Sequence, residues 1–296
     1  MRSKTIAALT SKMDSIPTLP TVAFRVIEIT ADPDSSANDL MNVISPDVSL
    51  TTKILKIANS PFYGLTRNVD SLQHAITILG FQEVRTLVIS TVVFESFKNI
   101  ERNAKFDIRK FWKHSLVCGL AAKIIATDLG NKSNEFFVAG LIHDIGKLVI
   151  YITLPDEFSK VEETASTLKL KFMNFQIEES ILGITHDEVG LRLLEKWMFP
   201  ENLLTAVGFH HRPQETDKKS LLPIVTHIAD MLAHIYEMQA DGEGEGNLLK
   251  VESLCPGIIK MAKSYGIEWN EADLNRLQQA VTESVAKETD TLSLFF

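Results

Sequence analysis

Phe137-Val138-Ala139-Gly140-Leu141-Ile142-His143-Asp144-Ile145-Gly146-Lys147-Leu148-Val149-Ile150-Tyr151 is apolar enough to be a core helix, yet it carries a histidine, an aspartate and a lysine at its centre. Read as one helix, it sets His143 and Lys147 one turn apart and Asp144 three residues before Lys147. The polar groups then share one sector, while Leu141, Ile142, Ile145, Leu148 and Val149 cover the rest. A carboxylate and an ammonium among aliphatic side chains are costly unless they meet each other, a metal or a ligand. Two explanations stay open at this point: an Asp144–Lys147 ion pair with His143 bonded to backbone, or a site.

Working outward, all of the eight histidines but His74 lie from His114 onward. His114 sits in a helical pattern, His186 opens another helix, His210-His211 close a third, and Asp230 lies inside a fourth. This order resembles the ligand order of the HD-domain metal-dependent phosphohydrolases, and Leu141 to Lys147 resembles their signature turn. Thr185-His186-Asp187-Glu188-Val189-Gly190 followed by His210-His211 is similar to the HD-GYP branch, which cleaves cyclic dinucleotides. That branch follows its paired histidines with a Gly-Tyr-Pro element, whereas here Arg212-Pro213-Gln214-Glu215-Thr216-Asp217 stands in its place.

The rest of the chain is read as helices joined by short turns. Thr21 to Ala31 follows an extended Ile16-Pro17-Thr18-Leu19-Pro20, because each proline disfavours helix in the residue before it. Ser36 with Asp39 forms a capping-box pattern for a helix to Ile44, and Ser45-Pro46-Asp47 is read as a serine cap with proline at the first helical position. Ser71 starts a helix that Gly80 closes, and Phe81 to Phe97 forms the next. Asp107 caps the His114 helix, Thr185 with Glu188 reads as a second capping box, and a helix spans Ser220 to Met238. No run of alternating strands intervenes, so the fold class is all-α.

Ile16 to Pro20, Ile44-Ser45-Pro46-Asp47 with Leu50, Ala58-Asn59-Ser60 with Tyr63-Gly64, and Ala75-Ile76 with Leu79-Gly80 resemble, in order, the HDOD (HD-related output domain) family of bacterial signalling proteins. The resemblance implies an all-α, two-part regulatory module acting through a protein partner or a nucleotide second messenger. The polar interval Lys98 to Lys105 divides a helical subdomain, 1–105, from an HD-like subdomain with a C-terminal helical extension, 106–296. From the residues alone, Asn59 and Ser60 are read as helix-end and turn groups.

Composition narrows the setting. A net charge of −8 disfavours nonspecific nucleic-acid binding, whose affinity comes from cations on phosphates. Cys118 and Cys255 have no paired spacing, so a reduced, cytoplasmic home is expected. Ser11-Lys12 interrupt the opening residues too soon for a signal peptide, and no uninterrupted apolar run approaches the ~20 residues of a membrane helix.

Imidazoles and carboxylates without thiolates suit iron, manganese, zinc or nickel. The candidate ligands exceed one tetrahedral site and fit a dinuclear metal better. Asp144 would bridge, with His114, His143 and Asp230 towards one ion and His186, His210 and His211 towards the other. Lys147 would neutralise a phosphate oxygen in the phosphoester chemistry that the HD resemblance implies. His227 and His234 share a face with Asp230 and are read as core or supporting residues rather than ligands.

Overall fold

The computed structural model describes residues 9, 11–12, 16, 19–32, 34–60, 63, 65–97, 106–168, 174–217, 219–242 and 255–292. The expected subdomain boundary at 98–105, the turn residues 61, 62 and 64, most of the acidic stretch 241–247, expected to be a loop, and the terminal Leu294-Phe295-Phe296 lie outside them. Every regular element among the described residues is helical, so the all-α reading holds.

The first half comprises α1 (Thr21–Ala31), α2 (Ala37–Ile44), α3 (Val48–Ala58), α4 (Leu72–Leu79) and α5 (Phe81–Phe97). Side-chain caps define most of these starts. Ser36 and Asp39 form the expected capping box, and the Ser71 hydroxyl accepts from the His74 N–H. Gly80, at φ +90°, ends α4 in a conformation that suits glycine. The expected serine cap of α3 is corrected. Asp47 caps it, accepting from the Leu50 N–H at 2.9 Å, while Ser45 closes α2 and donates to the Met41 carbonyl. Both residue types cap well, and the site nearer the helix takes the role. Asn59 does what a turn residue should: its amide donates to the Val69 carbonyl at 2.8 Å and accepts from the Val69 N–H at 2.6 Å, clamping the α3–α4 loop.

The second half runs through α6 (Ile108–Asp128), α7 (Glu135–Ile142), α8 (Ile145–Thr153), α9 (Pro155–Leu168), α10 (Asn174–Leu182), α11 (His186–Lys196), α12 (Glu201–Phe209) and α13 (Leu222–Ala240). The extension adds α14 (Ile258–Lys263) and α15 (Glu271–Leu292), whose Leu274, Leu277, Val281 and Val285 are buried as their spacing predicts. Asp107 caps α6 by accepting from the Arg109 and Lys110 N–H groups. Thr185 begins α11 but makes no side-chain cap bond, so the second capping box is absent. Glu178 of α10 accepts from the His186 N–H instead, at 2.7 Å.

The central run is not one helix. It breaks at His143-Asp144, where Asp144 leaves helical geometry at φ −95°, ψ 9°. The two pieces are pinned to different neighbours by glycines. A Cβ on Gly140 would lie 2.7 Å from the Cys118 carbonyl oxygen of α6, and one on Gly146 would lie 1.9 Å from the His186 carbonyl oxygen of α11. Such close backbone approach excludes any side chain and bends the chain between the two crossings. The turn so formed aims His143 and Asp144 inward. The stretch Glu135–Thr153 is long and apolar enough to cross a membrane, but 89% of it is buried inside the protein, as a core element should be.

The buried apolar side chains of both halves form one cluster, and α5 is its seam. It buries Val84, Val88, Val92 and Phe97 almost completely. Phe94 packs against Trp112 of α6 at 4.0 Å between ring centroids, and Phe97 against Trp197 at 5.8 Å. Each such side chain contributes about 1.5–3 kcal/mol of transfer free energy, so the seam is apolar rather than a wetted domain boundary.

Candidate metal centre

Five elements deliver the predicted residues to one place. His114 comes from α6, His143 and Asp144 from the α7–α8 turn, His186 from the first turn of α11, His210 and His211 from the end of α12, and Asp230 from α13. Asp144 stands at the middle. Its Oδ2 lies 3.4 Å from His143 Nε2 and 3.8 Å from His114 Nε2, and its Oδ1 lies 3.0 Å from His186 Nε2 and 3.9 Å from His210 Nε2. Asp230 Oδ1 is 3.0 Å from His114 Nε2 and 3.4 Å from His143 Nε2. On the other side, His186 Nε2 is 2.9 Å from His211 Nε2 and 3.4 Å from His210 Nε2.

The far nitrogens explain this convergence. His143 Nδ1 donates to the Gly140 carbonyl at 2.7 Å, His210 Nδ1 to the Val207 carbonyl at 2.8 Å, and His186 Nδ1 to the Glu178 carboxylate at 2.7 Å. Glu237 Oε1 stands 3.3 Å from His114 Nδ1. With Nδ1 held as a donor, each ring directs Nε2 to the centre, where it offers a lone pair once its own proton is displaced, the arrangement that supporting partners impose on metal-binding imidazoles. Phe175 stacks on His211 at 4.4 Å, and His227 supports His210 by donating from Nδ1 to its carbonyl.

The electrostatics divide the cluster. Burial opposes charge on His114 and His186, but Glu237 with Asp230 around the first, and Glu178 with Asp144 around the second, hold both up at about 9. Against the same burial, Asp144 raises His143 well above its ordinary value. Burial together with the neighbouring His143 and His186 charges pushes His210 down to about 3, and burial with His210 and His186 pushes His211 down. Asp144 and Asp230 are held well below the usual carboxylate range, burial being outweighed by His143, Lys147 and His186 for the first and by His234, His114 and His143 for the second.

These residues fit bound metal. His143 Nε2 and Asp144 Oδ1 are buried and make no aligned hydrogen bond, although ligand-type atoms surround both. Imidazole Nε2 atoms 2.9 and 3.4 Å apart are held together by a proton or a cation lying among them. The groups His114–His143–Asp144 and His186–His210–His211 each bring their ligand atoms within 4.8 Å of one another, close enough to hold an ion.

Lys147 donates to Asp144 Oδ2 at 2.6 Å, so the simple ion pair read from the sequence is present. The same lysine, with His114 and Asp144, lines a cavity of about 340 Å³ whose walls include Phe106, Phe158, Glu162 and Asn174. Arg212, in the segment that departs from the Gly-Tyr-Pro pattern, donates to the buried Asp187 at 2.9 Å.

Glu178 and Glu237 were not picked out by sequence reasoning. A signal existed for each: Glu178 lies between Ile177 and Ile181-Leu182 on a mostly apolar stripe, and Glu237 is one and two turns beyond His234 and Asp230.

The fold is shared with solved structures. A Shewanella amazonensis protein whose name proposes a phosphohydrolase superposes with a TM-score of 0.75 at 23% identity, covering 98% of each chain. An HDOD domain protein of unknown function from Geobacter sulfurreducens gives 0.73 at 25% identity over 95% of this chain and 98% of that one. A Marinobacter aquaeolei VT8 protein whose name proposes signal transduction gives 0.75 at 19% identity over 99% of this chain and 66% of that one. The chain spans 40% and 36% of the lengths of two curated relatives that it matches at 23% and 26% identity. Residues 16–213, which carry the capped N-terminal helices and the clustered histidines up to His211, match the HDOD domain, and the chain belongs to that family.

Proposed function

We propose that this chain is a regulatory module of bacterial signal transduction whose HD-type half would hold a pair of metal ions around Asp144. His114, His143 and Asp230 would hold one ion, and His186, His210 and His211 the other. The observation that carries the reading is the orphaned pair His143 Nε2 and Asp144 Oδ1, buried where the other Nε2 atoms converge. The donor set suits iron, manganese, zinc or nickel. On this reading the N-terminal helices, 1–105, and the HD-like part, 106–296, form the two parts of the module. It acts by binding a protein or a nucleotide second messenger, in a cytoplasmic setting.

A second reading, metal-dependent phosphoester hydrolysis, is favoured by the cavity that reaches Asp144 beside Lys147. Metal ions held there would supply an activated water and charge to neutralise a phosphoester. The chain's own residues would do the rest. Lys147, tied to Asp144 and facing the cavity, offers its ammonium to a phosphate oxygen. Glu178 and the Gly140 and Val207 carbonyls keep the protons of three imidazoles on Nδ1.

Anaerobic reconstitution with iron, manganese, zinc or nickel, followed by desalting and elemental analysis, tests the first reading. Retained metal that Asp144→Asn loses is the expected result, and no retention contradicts it. A phosphoester panel on the loaded protein tests the second, and the absence of turnover with each metal removes it.

A further inference from the structure

We propose that the C-terminal extension sets the affinity of the ion assigned to His186, His210 and His211, because Tyr265 and Cys255 brace the turn that carries the last two. The inference rests on the metal reading above and adds a control of one ion by residues outside the family match, which ends at Pro213.

His210 and His211 follow the last residue of α12 and precede a short 3-10 turn, Pro213–Glu215. Regular helix bonding has ended there, and three other elements brace the chain. Asp187 of α11 accepts from Arg212 at 2.9 Å, His227 of α13 donates to the His210 carbonyl at 2.8 Å, and the Tyr265 hydroxyl of the extension donates to the Pro213 carbonyl. The extension reaches the same turn a second time through His227, whose Nε2 faces Cys255 Sγ at 3.9 Å. Partners that orient a ligand from behind raise its affinity for metal.

Tyr265 is delivered from a fixed position. At the end of α14 the Gly266 N–H donates to the Lys263 carbonyl at 3.0 Å and the Ile267 N–H to the Ala262 carbonyl at 3.2 Å, with Gly266 at φ +77°. Ile258, Ala262, Tyr265 and Ile267 are all buried. The ligands assigned to the other ion have different supports: His143 bonds the Gly140 carbonyl, and His114 faces Glu237. Because α15 also packs on α6 and α13, removing the whole extension would disturb both ions, and single side chains are needed to separate them. Tyr265→Phe is suited to this. The Pro213 carbonyl still accepts from the Thr216 N–H at 3.0 Å and from its hydroxyl at 2.7 Å, so no acceptor is left unpaired.

The test loads the full chain anaerobically with Mn²⁺ and measures stepwise metal affinities by competition against a chelator for wild type, Tyr265→Phe and Arg276→Ala. The last variant removes the 2.7 Å contact of the extension with Asp128, away from the turn. Circular dichroism verifies folding. The proposal predicts two ions in wild type and in Arg276→Ala, with one of the two weakened about tenfold in Tyr265→Phe. Anomalous diffraction at the manganese edge under limiting metal should then show the peak beside His210 and His211 fading in Tyr265→Phe while the peak beside His143 persists. Two unchanged affinities in Tyr265→Phe, or equal weakening of both ions, overturn this proposal and leave the metal reading standing. One ion or none in wild type overturns the paired site and this proposal with it.

Discussion

Helix α5 and the histidine cluster bury polar groups in opposite ways. In α5 of the N-terminal half, Thr86, Ser90 and Thr91 are buried and each hydroxyl turns back to a carbonyl of its own helix, at 2.7–2.9 Å. In the C-terminal half, the imidazoles spend Nδ1 on local carbonyls and carboxylates and direct Nε2 towards atoms more than sixty residues away in some cases, such as Asp230 from His114. Local satisfaction stabilises helices and seals a core. Convergent, unsatisfied groups cost stability and are retained where a ligand compensates them. Buried polarity therefore marks function only when its hydrogen bonding is left incomplete in a common direction.

Removing the hub should produce the largest contrast. Asp144→Ala leaves Lys147, His143 and His186 without their shared carboxylate, and should cost about 3–5 kcal/mol as an uncompensated buried charge does, along with the bound metal. Denaturant unfolding with metal analysis checks both.

pH should separate metal-free from metal-loaded protein next. In the metal-free fold His114 and His186 rise from 6.5 to about 9, so their stabilisation is full below about pH 6.5 and is lost as pH rises through 9. Burial depresses His210, His211, His227 and His234. Their contribution is present above about pH 6.5 and is lost on acidification. Metal-free protein should thus be most stable near pH 6.5. Metal binding displaces protons from Nε2, so the stabilisation by added metal should grow from about pH 6 to about pH 9. Thermal melts with and without Mn²⁺ across that range would reveal the opposite slopes, and parallel curves would break the comparison.

Smaller effects sharpen it. Glu178→Gln should weaken metal binding by about 10–100-fold, as loss of a supporting carboxylate does, and competition against a chelator measures it. In the other half, Asn59→Ala removes both bonds to Val69 and should cost about 1–3 kcal/mol while leaving metal content unchanged. Metal loss there would mean the halves are coupled more tightly than the seam along α5 implies.

Residue type and order made much of this legible. The candidate ligands were readable because histidines and aspartates on successive helices are conspicuous in an apolar chain, and the caps at Ser36, Ser71 and Asp107 because capping is local chemistry. The break at His143-Asp144 was not readable. Apolar residues continue through Ile142 and Ile145, and the bend depends on Gly140 and Gly146 meeting other helices. Nor was the source of the α11 cap, since Thr185 and Glu188 satisfy the local pattern while Glu178, from the preceding helix, takes the His186 N–H. Long-range partners decide such cases, and a glutamate on a helix usually faces water.

X-ray absorption at the metal edge of the reconstituted protein tests the central claim most directly. The account predicts a first shell of nitrogen and oxygen without sulfur, outer scattering from several imidazoles, and a metal–metal vector at about 3.5–4 Å. An oxygen-only shell with no imidazole scattering, or metal that washes off on desalting, would contradict it.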